Sequence, residues 1–336
     1  MNYLRTYNTL SQYSQHLSEL IFPTVTKLLN EYPDSDIKFL QKREYKNEYF
    51  TIEALESCTI TLSIPAAIDT GYIEDIVYSI NNGSGTITMN TNRDLTINIG
   101  TLNAGDKAYI RINAKSFCTN ACSYSSTFSM TGRCKIYGNI MSLLYGEDFR
   151  KKYTFPNSNY TSNFARLFYG CSNIIDAENL ILPATTLSEC CYREMFYDCS
   201  LLETAPKLPA KTLATRCYRS MFAACSSLIN APKILPATTL ADQCYYSMFA
   251  ECGNLEIAPL LPALSLTESC YESMFDNCSS LIYLKALFFA ENSSNFAYWL
   301  NGIETTGTLV INVNNPIDFE GNNLIPSTWT IEYEEL

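Results

Sequence analysis

The chain has 336 residues, 47% of them hydrophobic and 17% charged, with a formal net charge of −11 and a pI near 4.7. That length implies two or three domains with sizeable cores. The acidic balance, with six acidic and no basic side chains in residues 299–336, argues against binding to nucleic acid or to an anionic membrane surface, and no run of about 18 apolar residues is present to span a membrane.

Residues 1–45 read as a small α/β unit. Tyr3 to Tyr7 predicts a strand, and Thr9 with Gln12 makes a capping box that opens a helix carrying Leu10, Tyr13, Leu17 and Leu20 on one face. Pro23 ends that helix, and Thr24 to Leu29 and Asp36 to Leu40 flank a turn that predicts a hairpin. So small a unit cannot bury its apolar face alone, so it is expected to anchor or oligomerise the chain, giving a homo-oligomer or a contact with another protein. Tyr7, Tyr13, Leu17, Phe22, Pro23 and Val25 are the candidate contact residues. The features Tyr7-Asn8-Thr9, Tyr13 and Phe22-Pro23-x-Val25 resemble N-terminal segments of structural proteins of Bacteroides phages, which implies attachment to other virion proteins. The start shows neither the apolar stretch nor the small-residue cleavage site of an export signal, which favours a virion protein over an exported one.

Residues 46–137 are rich in strand signals. Tyr49 to Ile64, Ile76 to Ile80, Gly85 to Met89, Asp94 to Ile99, Ala108 to Ala114 and Thr127 to Tyr137 alternate or carry β-branched runs, with turns at Asn82-Gly83 and at Asn103 to Asp106. Short strands at this spacing predict an all-β sandwich, immunoglobulin-like in architecture but without the Cys, Trp, Cys hallmark. Residues 138–155, with the apolar run Ile140 to Tyr145 closed by Gly146, predict a short helix that caps the start of residues 156–298.

Residues 156–298 carry a repeat. Copies of Cys-Tyr-x-x-Met-Phe-x-x-Cys-x-x-Leu begin at Cys191, Cys217, Cys244 and Cys270, in steps of 26, 27 and 26 residues, after a degenerate copy with Phe164, Leu167, Phe168 and Cys171. A fixed period of this length predicts a solenoid whose units bury their apolar faces against one another. Offsets of 0, 4, 5, 8 and 11 for Cys217, Met221, Phe222, Cys225 and Leu228 predict a short helical turn, followed by a proline-rich extended segment from Leu228 to Leu235. The candidate structural core is Cys191, Phe196, Cys199, Cys217, Phe222, Cys225, Cys244, Phe249, Cys252, Cys270, Phe275 and Cys278. Residues 299–336 predict a C-terminal cap with strands at Leu309 to Val313 and Trp329 to Tyr333 and with Trp299 as a plug.

The pairs Phe196/Cys199, Phe222/Cys225, Phe249/Cys252 and Phe275/Cys278, each followed three residues later by Leu, resemble the BspA-like leucine-rich repeats over residues 156–298. The Cys-Tyr-x-x-Met start and Leu-Pro-Ala-x-Thr-Leu end are similar to a variant of gut Bacteroidetes and their phages, crAss-like phages among them. The resemblance implies surface recognition and no catalysis. With the N-terminal unit it gives a fold class of α+β, multidomain: a leucine-rich-repeat solenoid preceded by an Ig-like sandwich and a small α/β anchor.

Other chemistry finds little support. The C-x7-C spacing within each repeat differs from zinc modules and the single His16 lies far away, so the repeat cysteines read as buried hydrophobes; disulfides among Cys118, Cys122 and Cys134 or at Cys190-Cys191 stay open. No glycine-rich phosphate loop occurs, His16 gives no triad, and Glu74-Asp75 and Glu147-Asp148 are merely adjacent carboxylates. Asp34 and Asp36 lack the remaining ligands of a calcium loop. No enzyme activity, cofactor or metal is expected. The function expected is a non-enzymatic head fibre or decoration protein of a phage virion, attached through its N-terminus with the repeats turned outward towards a host or mucosal glycan or protein. The alternative is a secreted or cell-surface adhesin of a Bacteroidetes bacterium.

Overall fold

The computed structural model describes residues 48–66, 73–81, 83–87, 94–119, 124–155, 161–289, 293–315 and 324–335. The expected unit of residues 1–45, with Tyr7, Tyr13, Leu17, Phe22, Pro23 and Val25, and with His16, Asp34 and Asp36, lies outside the described residues.

Alternating apolar residues build the first half. Strands β1 (Phe50–Ala54), β2 (Cys58–Ile64), β3 (Ile73–Ile80), β4 (Gly83–Ile87), β5 (Leu95–Leu102), β6 (Lys107–Ala114), β7 (Thr127–Met130) and β8 (Cys134–Asn139) form two sheets. The run from Tyr49 to Ile64, a single strand signal in the sequence, breaks at Leu55 to Ser57, so that β1 serves the larger sheet and β2 the smaller. The larger sheet runs β8-β1-β6-β3-β4 in antiparallel pairs, and the smaller runs β5-β2-β7. Period-two alternation turns Ile60, Leu62 and Ile64 of β2 and Ile110 and Ile112 of β6 into one shared core. The turn before β6 closes through Asn103, whose backbone N–H donates to the Asp106 carboxylate at 2.9 Å, with Gly105 at φ 85° supplying the left-handed corner.

Helix α1 (Ser142–Tyr145) is the one α-helix among the described residues. Its Ser142 hydroxyl donates to the Ile110 carbonyl at 3.1 Å and accepts from the Phe50 N–H at 2.8 Å, pinning it against β6 and β1.

The repeats contain no described α-helix. In each copy the amide groups alternate. Cys191, Arg193, Met195, Tyr197 and Cys199 donate to the carbonyl three residues back, while Tyr192, Glu194, Phe196 and Asp198 donate to Cys217, Arg219, Met221 and Ala223 of the next rung. The pattern recurs from Tyr218 to Cys244 and from Tyr245 to Cys270, then from Tyr271 to Asn295. Every fourth residue sits at positive φ: Cys190, Glu194 and Asp198; Arg216, Ser220 and Ala224; Gln243, Ser247 and Glu251; Ser269, Ser273 and Asn277. The left-handed residues prevent i→i−4 bonding and bend each copy into a ribbon of successive turns. None of the twelve is β-branched, the class for which such a φ is most costly. The expected helical turn per unit is therefore corrected to a turn ribbon.

The proline-rich segments between ribbons stack in parallel through single bridges, Asp176 to Thr204 to Asn230 and Thr186 to Thr212 to Thr239. Strands β9 (Ile174–Asp176) and β10 (Leu180–Ile181) of the degenerate copy pair in parallel with β8, so the larger sheet runs on into the first rung. At the far end β11 (Tyr283–Ala286), β12 (Thr308–Asn312) and β13 (Thr330–Glu334) form a parallel sheet. Trp299 and Trp329 are buried there, donating their indole N–H groups to Leu324 and Glu304 carbonyls at 3.2 and 2.8 Å. One apolar core runs without a break from Phe50 to Trp329. The α+β, multidomain class expected from the sequence, with its leucine-rich-repeat solenoid, is thus overturned: the described residues are mostly strands in sheets and stacked turns, with one four-residue α-helix.

Candidate functional site

The turn ribbon sorts side chains in pairs: two inward, two outward. The inward set holds the stack together. All twelve predicted core residues, Cys191, Phe196, Cys199, Cys217, Phe222, Cys225, Cys244, Phe249, Cys252, Cys270, Phe275 and Cys278, are 0% exposed. They align in columns. Phe128 of β7, Phe168, Phe196, Phe222, Phe249 and Phe275 stack at centroid spacings of 5.9, 5.3, 5.5, 5.6 and 5.6 Å. Phe164, Tyr192, Tyr218, Tyr245 and Tyr271 form a second column at 5.9, 5.7, 5.8 and 5.9 Å. A third column is sulfur. The thiols of Cys199, Cys225, Cys252 and Cys278 each donate to the carbonyl of Phe168, Phe196, Phe222 and Phe249 one rung back, at 3.0–3.1 Å. Burial pushes the Cys278 thiol up to about 12 and the Cys270 thiol up to about 11, and drives Cys199, Cys217, Cys244 and Cys252 well above the ordinary thiol range. A raised pKa favours the protonated thiol at neutral pH over the thiolate, the form that attacks or binds metal. Cys191 joins the inward set, whereas its neighbour Cys190 packs with Cys118 and Ala165 in a separate cluster. Cys134 faces Cys58 across the two sheets, and hydrogen bonding within that pair lowers Cys58 and raises Cys134. Cys122 lies outside the described residues.

The outward set differs from rung to rung. The two positions after Cys-Tyr are Arg193-Glu194, Arg219-Ser220, Tyr246-Ser247 and Glu272-Ser273. On the first three rungs this face gathers Arg166, Arg193, Arg216 and Arg219, which are all the arginines C-terminal of Arg150. The buried Glu194 carboxylate accepts from Arg166 Nε at 2.5 Å and from Arg193 Nε and Nη2 at 2.8 Å. Gln243 Oε1 accepts from Arg216 Nε at 2.9 Å and Arg219 Nη1 at 2.7 Å. The Arg219 guanidinium lies over the Tyr246 ring at 4.3 Å, and Arg166 lies over Tyr169 at 5.3 Å. Tyr169 and Tyr197 stack at 4.9 Å and 7°. Burial, followed by the like charges of Arg193 and Arg216, lowers the Arg219 pKa from its ordinary value. Glu194 and the neutral Gln243 amide thus tie four guanidiniums together on a chain whose net charge is −11.

This arginine and tyrosine face is the candidate functional site. Sequence reasoning missed it because the recurring residues carry the repeat signal; the positions that vary between copies are the ones that mark it. Glu147, one of the adjacent carboxylates, pairs with Arg111 at 2.8 Å. Among the described residues no group of His, Cys, Asp and Glu side chains could hold a metal ion, and no helix is long and apolar enough to cross a membrane. Compared with known proteins, the chain matches no protein family, no curated protein and no solved structure.

Proposed function

We propose that this chain is a non-enzymatic display and adhesion protein, most consistent with a head fibre or decoration protein of a phage virion. Residues 1–45 attach it to other virion proteins, and the stacked rungs carry a recognition face towards a surface partner. One observation carries the reading. The inward positions repeat Cys, Tyr, Met, Phe and Cys from rung to rung, whereas the outward positions on the same backbone change from Arg through Tyr to Glu. The inward set satisfies the stacking, so the outward set is free of it and available for contacts.

The test compares the full chain with residues 46–336 for oligomer mass and for incorporation into particles. The truncated protein is expected to remain folded, because it keeps all of the described core from Phe50 to Trp329, and to lose incorporation. Normal incorporation of the truncated form would remove the anchoring role, and failure of the full chain to join particles would remove the virion reading.

A further inference from the structure

We infer that the face formed by Arg166, Arg193, Arg216 and Arg219 with Tyr169, Tyr197 and Tyr246 binds an acidic saccharide, one whose sugar rings carry carboxylate or sulfate groups. The inference deepens the proposed function by naming the ligand class of the rung face. Two features carry it. The first is a cluster of guanidiniums around one bonded carboxylate. Glu194 is shared by Arg166 and Arg193, while Arg216 and Arg219 converge on the single Gln243 amide oxygen, which brings no charge. Arg219 feels the like charges of Arg193 and Arg216 as well as the Glu194 carboxylate, and an oxyanion placed among these guanidiniums relieves their repulsion through charge-assisted, bidentate hydrogen bonds.

The second feature is the aromatic surface beside those cations. Tyr169 is 39% exposed and stacked on Tyr197, and Tyr246 lies under Arg219. Flat rings next to a fixed oxyanion site suit sugar rings, whose C–H faces pack on aromatic side chains while their acidic substituents meet the guanidiniums.

The experiment uses the full chain and isothermal titration. Its probes are a chondroitin sulfate tetrasaccharide, its desulfated form, a neutral maltotetraose, inorganic sulfate and a single-stranded oligonucleotide. Binding of the acidic tetrasaccharides is expected, weakening as salt rises, and the desulfated form separates carboxylate from sulfate recognition. Neutral sugar and free sulfate should bind at least about tenfold more weakly. The double variant Arg216→Gln/Arg219→Gln should lose about tenfold or more in affinity. Lys211→Gln/Lys233→Gln, which removes two exposed cations elsewhere on the same rungs, should change it little. Circular dichroism establishes that each variant is folded. An oligonucleotide bound more tightly than the saccharides, equal binding of inorganic sulfate or neutral sugar, or no binding of either acidic tetrasaccharide by the folded wild-type protein would each overturn the inference. A protein that joins its particle yet binds no acidic saccharide leaves the proposed function standing. One that binds the saccharide but is incorporated without residues 1–45 overturns the anchoring role alone.

Discussion

Phe222 lies between Phe196 and Phe249 in the aromatic column and is fully buried. Phe222→Ala removes a side chain shared by three rungs, and chemical denaturation should register a loss of about 3–5 kcal/mol. Backbone conformation makes a second residue-scale prediction. Ala224 sits at φ 61°. Ala224→Gly should leave stability unchanged or raise it by up to about 1 kcal/mol, whereas Ala224→Val, β-branched in a left-handed site, should lower it by about 1–3 kcal/mol. Equal effects of the two would show that the residue is not held left-handed. The buried thiols predict a pH dependence. Burial holds Cys171 and Cys278 up to about 12 and Cys270 up to about 11, above the value near 8.5 of an unfolded cysteine. Above about pH 8.5 the unfolded chain has released protons that the folded one retains, so stability is fully present below that pH and falls as the pH climbs towards 11. A denaturation midpoint that stays flat from pH 7 to 10.5 would contradict this.

The repeat element shows how much of the fold was legible and where legibility stopped. Its period and its inward residues could be read from the register of Cys191, Cys217, Cys244 and Cys270. Its backbone could not. Apolar residues at offsets of 0, 4, 5 and 8 fit one face of a helix, but they also fit a ribbon that turns once every four residues, and short apolar spacings do not separate 3.6 from 4. The deciding clue was weak: Glu194, Ser220, Ser247 and Ser273 share one slot, where no copy has a β-branched residue. The sheets were more legible, because alternation such as Ile60, Leu62 and Ile64 has a period of two that no helix imitates. The arginine face was invisible to a search for recurrence, since Arg193, Arg219, Tyr246 and Glu272 occupy one column without repeating. At this scale the thiol column makes a direct prediction. Native protein titrated with an aromatic disulfide reagent should leave Cys199, Cys225, Cys252 and Cys278 unmodified, and denaturation should release them as thiols. Rung-to-rung disulfides in a peptide map would show that the column is a set of covalent staples.

For the molecule as a whole, continuity is the organising fact. Phe128 belongs to a strand of the smaller sheet and also heads the aromatic column of the repeats, and β8 of the larger sheet pairs with β9 and β10 of the first rung. Sheets and rungs therefore support one another, and the outward face is presented on a continuous stack. The central claim is that inward residues hold this stack while outward residues are spared for recognition. Its most direct test is the unfolding free energy of the triple variant Arg219→Ser/Tyr246→Ser/Glu272→Ser, which empties one outward column across three rungs. The account predicts a total loss of about 1–2 kcal/mol, the scale of surface contacts and a partly exposed cation–π pair, well below that of the single change Phe222→Ala. A loss as large as that of Phe222→Ala would mean that the outward column carries the fold, and would contradict the account.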